Sequence, residues 1–169
     1  RMFGYQGTAL RPDIMALAKG IGGGVPLGAV LATKEVAKGM TPGSHGSTFG
    51  GNPLVMAAGN AVLDVITEKN FLKDAQKKMN FLSKGLVNLK ETFSNLIDEI
   101  RGEGFLIGLK VNLPVLDFVE SMQKRKILTV PAADNVLRLI PPLNVKFNEI
   151  EILLNELEFV LSNFQRKSK

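Results

Sequence analysis

The sequence contains no cysteine, so neither a disulfide nor a thiolate metal site can form. That absence fits a reducing compartment. A single histidine, His45, falls short of the several nitrogen or sulfur ligands that a protein-only zinc site needs. No apolar run is long enough to cross a bilayer as a helix, which excludes a membrane-spanning segment of that kind. The opening Arg1-Met2-Phe3-Gly4-Tyr5 has no initiator methionine. It also lacks the charged, apolar and small-residue regions of a signal peptide, so it reads like the interior of a longer protein.

Strong charge of one sign is missing too. Lys and Arg number 21 against 16 acidic residues, a net charge of +5, and the cations are spread along the chain. Small clusters occur only at Lys77-Lys78, Lys124-Arg125-Lys126 and the C-terminal tail. A nucleic-acid module concentrates its excess on one face, so no nucleic-acid or membrane partner is expected. The charge is read as solubility with a bias toward anionic ligands.

What is present is a globular composition, 45% apolar and 22% charged. Residues 1–51 are glycine-rich and irregular, a pattern that suits short strands and tight turns carrying a site. Residues 27–33 read as a buried strand. Asn52-Pro53 supplies a capping side chain followed by proline at the first helical position. Leu54, Ala58, Ala61, Val62 and Val65 then mark one helical face. The clearest helix follows, with Leu72, Ala75, Met79, Leu82, Leu86, Leu89 and Phe93 at alternating spacings of three and four. Beyond it, a glycine-interrupted strand pair or bent strand is expected at 97–111, a helix at 114–126 and a closing helix at 147–164. Short strands are expected at 127–130 and 136–140, joined by a turn at Asp134-Asn135. The organisation predicted is 1–67, a connecting helix over 68–96, and a small α/β domain over 97–169.

Three segments could carry chemistry. The glycines at 20, 22 and 24 fit neither the dinucleotide fingerprint nor the phosphate-binding loop, because Lys19 precedes Gly20 and no third glycine or alanine falls at the required step. What remains is a lysine closing an apolar run and flanked by small residues, a setting that can partly desolvate its amine and make it nucleophilic. Read alone, Lys19 is an ordinary solvated side chain, as most lysines are. His45-Gly46-Ser47-Thr48-Phe49-Gly50-Gly51 places hydroxyls and glycines before a helix start, which suits either an anion site or a simple turn with an N-cap. His45 is read as a loop-stabilising residue. Arg138 lies in an apolar strand ended by Pro141-Pro142. Its planar fork matches a carboxylate, while an internal salt bridge or an outward edge position are the alternatives.

Together these segments resemble the class III pyridoxal-phosphate aminotransferases, and within them the acetylornithine aminotransferase group. Residues 13–24 are similar to the lysine signature D-I-x-x-x-A-K-x-x-x-G-G, and 45–53 to the loop H-G-S/T-T-F/Y-G-G-N-P. Arg101-Gly102-Glu103-Gly104 and residues 137–143 are similar to the family's R-G-x-G and L-R-x-x-P-P-L.

The resemblance implies an α/β fold: the end of a fold-type-I large domain, with a mainly parallel sheet, and then the small C-terminal domain. It implies Lys19 as the catalytic residue that forms the Schiff base to pyridoxal 5'-phosphate and moves the proton. Thr48 would hold the cofactor phosphate from across a homodimer with shared sites, Ser47 would contact the amino acid, and Arg138 would bind a substrate carboxylate. N-acetylornithine and glutamate/2-oxoglutarate are the implied substrates, in cytoplasmic arginine biosynthesis. Ornithine, succinylornithine and 4-aminobutyrate are alternatives, and a non-catalytic α/β interaction domain is the reading of another class. The family's N-terminal part, with its glycine-threonine phosphate loop, ring-stacking aromatic and ring-nitrogen aspartate, is not in this sequence. The chain alone is therefore expected to be inactive and to expose apolar surface. The sequence departs from the pattern at Ala132-Ala133-Asp134, where many relatives carry alanine-glycine, which bears on the orientation of Arg138.

Overall fold

A computed structural model describes residues 1–167, which divide into two compact units, Arg1–Leu72 and Lys73 onward. In the first unit the strands β1 (Ile14–Leu17) and β2 (Ala29–Ala32) pair antiparallel, from Ile14 opposite Ala32 to Leu17 opposite Ala29. The mainly parallel sheet expected there is not formed among the described residues. The connection over 18–28 turns straight back, whereas a parallel pair needs a crossover of a dozen or more residues. The expected buried strand is also different, because Val30 and Leu31 of β2 are exposed.

After the short helix α1 (Lys34–Ala37) and an irregular loop comes α2 (Pro53–Thr67). Its start follows the sequence reading. The Asn52 side chain accepts the Val55 N–H at 3.0 Å and donates to the Phe49 carbonyl at 2.8 Å, and Pro53 opens the helix where its missing N–H costs nothing. The expected apolar face is only partly covered, since Leu54 and Val65 are exposed. Within the first unit only Gly22 and Gly59 are buried among the described residues.

The second unit holds the core. Helix α3 (Phe71–Thr92) leads into it, and Ala75, Leu82, Leu86 and Leu89 are its buried stripe, with Phe93 just beyond its end also buried. Lys73, Lys77, Lys84, Asn88 and Glu91 stay exposed on the other side. The strands β3 (Ile97–Glu103), β4 (Leu106–Val111), β5 (Val130–Ala132) and β6 (Val136–Leu139) form an antiparallel sheet in the order β3-β4-β6-β5. Ile107, Leu109, Val111, Leu137 and Leu139 point into the core from alternate positions. Helix α4 (Val115–Lys124) adds Phe118 and Met122, and α5 (Phe147–Lys167) adds Ile150, Leu153, Leu157, Val160 and Leu161. Each fully buried leucine of this set contributes about 1.5–3 kcal/mol relative to exposure.

The strand expected at 127–130 starts later, at Val130. Lys126 adopts a left-handed backbone (φ 63°) that closes α4, and the Ile127 N–H is taken by the Met122 carbonyl at 3.0 Å. Pro131, which cannot donate to a ladder, sits in the edge strand β5.

Candidate active site

Lys19 lies two residues beyond β1, at the head of a 3-10 turn over Lys19–Gly22. Its backbone is left-handed (φ 58°), a conformation that costs a non-glycine residue energy and persists only where the surroundings impose it. Here they do. Gly23, also left-handed (φ 61°), lies against α2 so closely that a Cβ there would stand 2.7 Å from Val62 Cγ2. The turn is therefore pressed onto α2, and Lys19 is held at its start. The Lys19 side chain is exposed and forms no ion pair or hydrogen bond among the described residues, and the space beside Gly20 is open.

The second segment enters the same helix at its N-terminus. Ser47 and Thr48 are exposed, and neither hydroxyl has a hydrogen-bond partner among the described residues. Left-handed Gly51 (φ 69°) and the Asn52 cap turn the chain from this loop into α2. His45 forms no hydrogen bond, so the loop-stabilising contacts expected of it are absent among the described residues. Helix α2 thus carries the lysine turn along its side and the hydroxyl loop at its start, and no hydrogen bond joins Lys19 to Ser47 or Thr48.

Arg138 belongs to the second unit. It lies on β6, an interior strand between β4 and β5, opposite Gly108 on one side and Val130 on the other. The edge-strand alternative is thereby removed. The salt-bridge alternative goes as well, because Arg138 forms no ion pair among the described residues and its Nε is buried without a partner. A buried donor left unpaired is costly unless something supplies an acceptor.

The turn before β6 contains groups whose roles spacing alone did not reveal. Asp134 and Asn135 are both left-handed (φ 63° and 55°). Asn135 donates to the Val111 and Leu113 carbonyls at 2.5 and 2.7 Å and accepts the Val115 N–H at 3.2 Å, fastening the turn to β4 and capping α4. Asp134 accepts from Arg101 Nη1 at 2.7 Å and Lys110 Nζ at 3.1 Å. Hydrogen bonds from Arg101, then Lys110, hold its carboxyl below the usual aspartate range. The Asp-Asn turn is visible in the sequence, but its cationic partners follow only from strand register.

Residues 1–161 match the sequence profile described as "Aminotransferase class-III". The chain belongs to the class-III aminotransferases. It is 49% identical over 157 residues to an acetylornithine aminotransferase from Mesorhizobium japonicum, covering 93% of this chain and 39% of that protein. The crystal structure of acetylornithine aminotransferase from Elizabethkingia anophelis superposes with a TM-score of 0.89 at 30% identity, over 96% of this chain and 42% of that one. An ornithine aminotransferase from Toxoplasma gondii superposes with a TM-score of 0.85 at 28% identity, over 99% of this chain and 41% of that one. The chain thus spans about two-fifths of the length of the relatives it matches. The fold is α/β and corresponds to the C-terminal portion of these fold-type-I enzymes.

Proposed function

We propose that the whole class-III protein is a pyridoxal-phosphate-dependent aminotransferase that moves an amino group between N-acetylornithine and 2-oxoglutarate. The observation that carries this reading is a set of donors left without a partner among the described residues: the Lys19 amine, the Ser47 and Thr48 hydroxyls, and the buried Arg138 Nε. The residues fit the cofactor. The Lys19 turn is fixed by its packing on α2, open space lies beside Gly20, and hydroxyl donors of the kind a phosphate needs stand unengaged.

When bound, pyridoxal phosphate supplies a carbonyl that takes up the amino group and a conjugated ring that stabilises the electron pair released at the substrate carbon. The protein's own part is positional and acid–base. Lys19 Nζ would hold the cofactor and would accept and return the proton of the substrate carbon. Thr48 Oγ1 holds the phosphate, reaching into the neighbouring subunit's site of a homodimer. Ser47 contacts the amino acid, and Arg138 binds the substrate carboxylate through its planar fork. The reaction belongs on this reading to arginine biosynthesis in the cytoplasm, a reducing setting to which a cysteine-free chain is suited. Likeness to an ornithine aminotransferase supports ornithine as the second substrate reading.

In the full-length protein, Lys19→Ala is expected to abolish the long-wavelength absorbance of bound cofactor. It should also abolish the covalent mass that remains on the protein after borohydride reduction. Retention of both by the variant would remove Lys19 from this role.

A further inference from the structure

The sheet of the second unit has two unlike faces. One packs the core, and the other carries Glu99, Arg101, Glu103, Gly108, Lys110 and Arg138, because Glu99 pairs with Lys110, Arg101 with Gly108, Glu103 with Leu106, and Gly108 with Arg138. Residues paired across neighbouring strands project from the same side. Arg101 and Arg138 therefore flank a residue with no side chain, two strand spacings or about 10 Å apart.

The charges on this face are unevenly matched. Arg101 bonds Glu99 at 2.7 Å and Asp134 at 2.7 Å, and Lys110 bonds Asp134 at 3.1 Å. Two of the three carboxylates, Glu99 and Asp134, are ion-paired, Glu103 is not, and the cation left without a carboxylate among the described residues is Arg138. The Asp134 side chain is not needed to build its turn, since Asn135 makes every side-chain hydrogen bond to the neighbouring backbone. What Asp134 does is occupy two cations, from a left-handed position that glycine or asparagine would take more readily.

We propose that Asp134 partitions the charge of this face, engaging Arg101 and Lys110 so that Arg138 alone is offered to a carboxylate. The proposal rests on the reading of Arg138 as the substrate-carboxylate residue and adds to it a specificity-determining role for Asp134. An enzyme that binds an amino acid with one free carboxylate and a dicarboxylic oxo-acid in turn needs a site that reads the single carboxylate common to both. Free cations nearby would favour the dianion and slow its exchange for the monoanion.

The test uses the full-length, cofactor-loaded protein and two simple anions, glutarate and butyrate, with dissociation constants measured by calorimetry at low salt. Asp134→Asn removes one negative charge while keeping a residue that tolerates the left-handed backbone, and Asp134→Gly removes the charge and the backbone strain together. One unit of positive charge gained at about 10 Å strengthens binding by roughly two- to fourfold for each charge on the ligand. The ratio of butyrate to glutarate dissociation constants is therefore expected to rise about threefold in both variants. That gain should vanish at high salt, with the melting midpoint within a few degrees of the parent. A ratio that stays level or falls in both variants overturns the proposal. Arg138→Ala separates the two ideas. If it weakens both anions while the Asp134 variants leave the ratio unchanged, only the partition fails. If it leaves both anions bound as before, the carboxylate reading fails and the proposal with it.

Discussion

Lys19 illustrates how little a residue's identity says before its backbone is known. Its side chain forms no bond in the first unit, and what distinguishes it is a left-handed φ of 58° at the head of a turn seated on α2. The seat depends on Gly23, whose φ of 61° and proximity to Val62 both disfavour a side chain. Gly23→Ala should cost about 1–2 kcal/mol from backbone conformation alone, before the contact with Val62 is relieved. In the full-length protein we expect the Lys19 turn to shift and cofactor to be lost faster on dialysis, followed by absorbance. Retention equal to the parent would show that the turn keeps its place without that glycine. Arg138 makes the complementary point. Spacing left it between a carboxylate fork, a salt bridge and an outward edge position; the strand β6 is interior, and among the described residues Arg138 forms no ion pair and its Nε has no partner.

At the scale of elements, the β3–β4 hairpin depends most sharply on one residue. Gly102 has φ 100°, and a Cβ placed there would meet the Leu106 carbonyl oxygen at 2.0 Å, a backbone atom that cannot swing aside. Gly102→Ala should therefore destabilise the second unit by about 1–3 kcal/mol, measured by denaturant unfolding. A change within about 0.5 kcal/mol would mean that the hairpin re-forms with a different turn. The helices are less demanding. The α3 stripe from Ala75 to Phe93 and the α5 stripe from Ile150 to Phe164 follow the apolar periodicity, with Met79, Leu154 and Phe164 partly buried and Leu161 an addition to it. The strands do not follow it as closely. β5 begins at Val130 because a left-handed Lys126 and the Ile127-to-Met122 hydrogen bond belong to the end of α4.

For the whole molecule, the unevenness between the units is the main finding. Every buried hydrophobic side chain among the described residues lies from Ala75 onward, while Leu10, Val30, Leu31, Met40, Phe49 and Leu54 of the first unit are exposed. The ion pairs with displaced carboxyl groups also lie in the second unit. Asp134 is held below its usual range by hydrogen bonds from Arg101 and then Lys110, Glu120 by Lys124, and Glu156 by Arg125. The folded state thus binds fewer protons than the unfolded chain at acid pH, so these groups add stability above the ordinary carboxylate range. That contribution is lost as pH falls through their depressed values. The denaturation midpoint should be flat from pH 7 to about 5 and fall below about pH 4.5, with the fall reduced in high salt because Asp134 and Glu120 are exposed. A midpoint that rises on acidification would contradict the ion-pair account.

The sequence by itself determined the four long helices, the Asn52 cap and the family, because periodicity, caps and motif order are local and survive without a partner. It did not determine the direction of strand pairing, the exposure of β2 or the fate of the cations on the sheet face, which depend on which residues meet across strands. Arg101, Lys110 and Asp134 are far apart along the chain and become one cluster only through the β3-β4-β6 register. The turn that Lys19 heads is likewise seated where Gly23 meets Val62, well beyond it in sequence. Local chemistry is written in residue order, whereas ion pairing and backbone strain arise only when tertiary contacts bring distant residues within a few ångströms of one another.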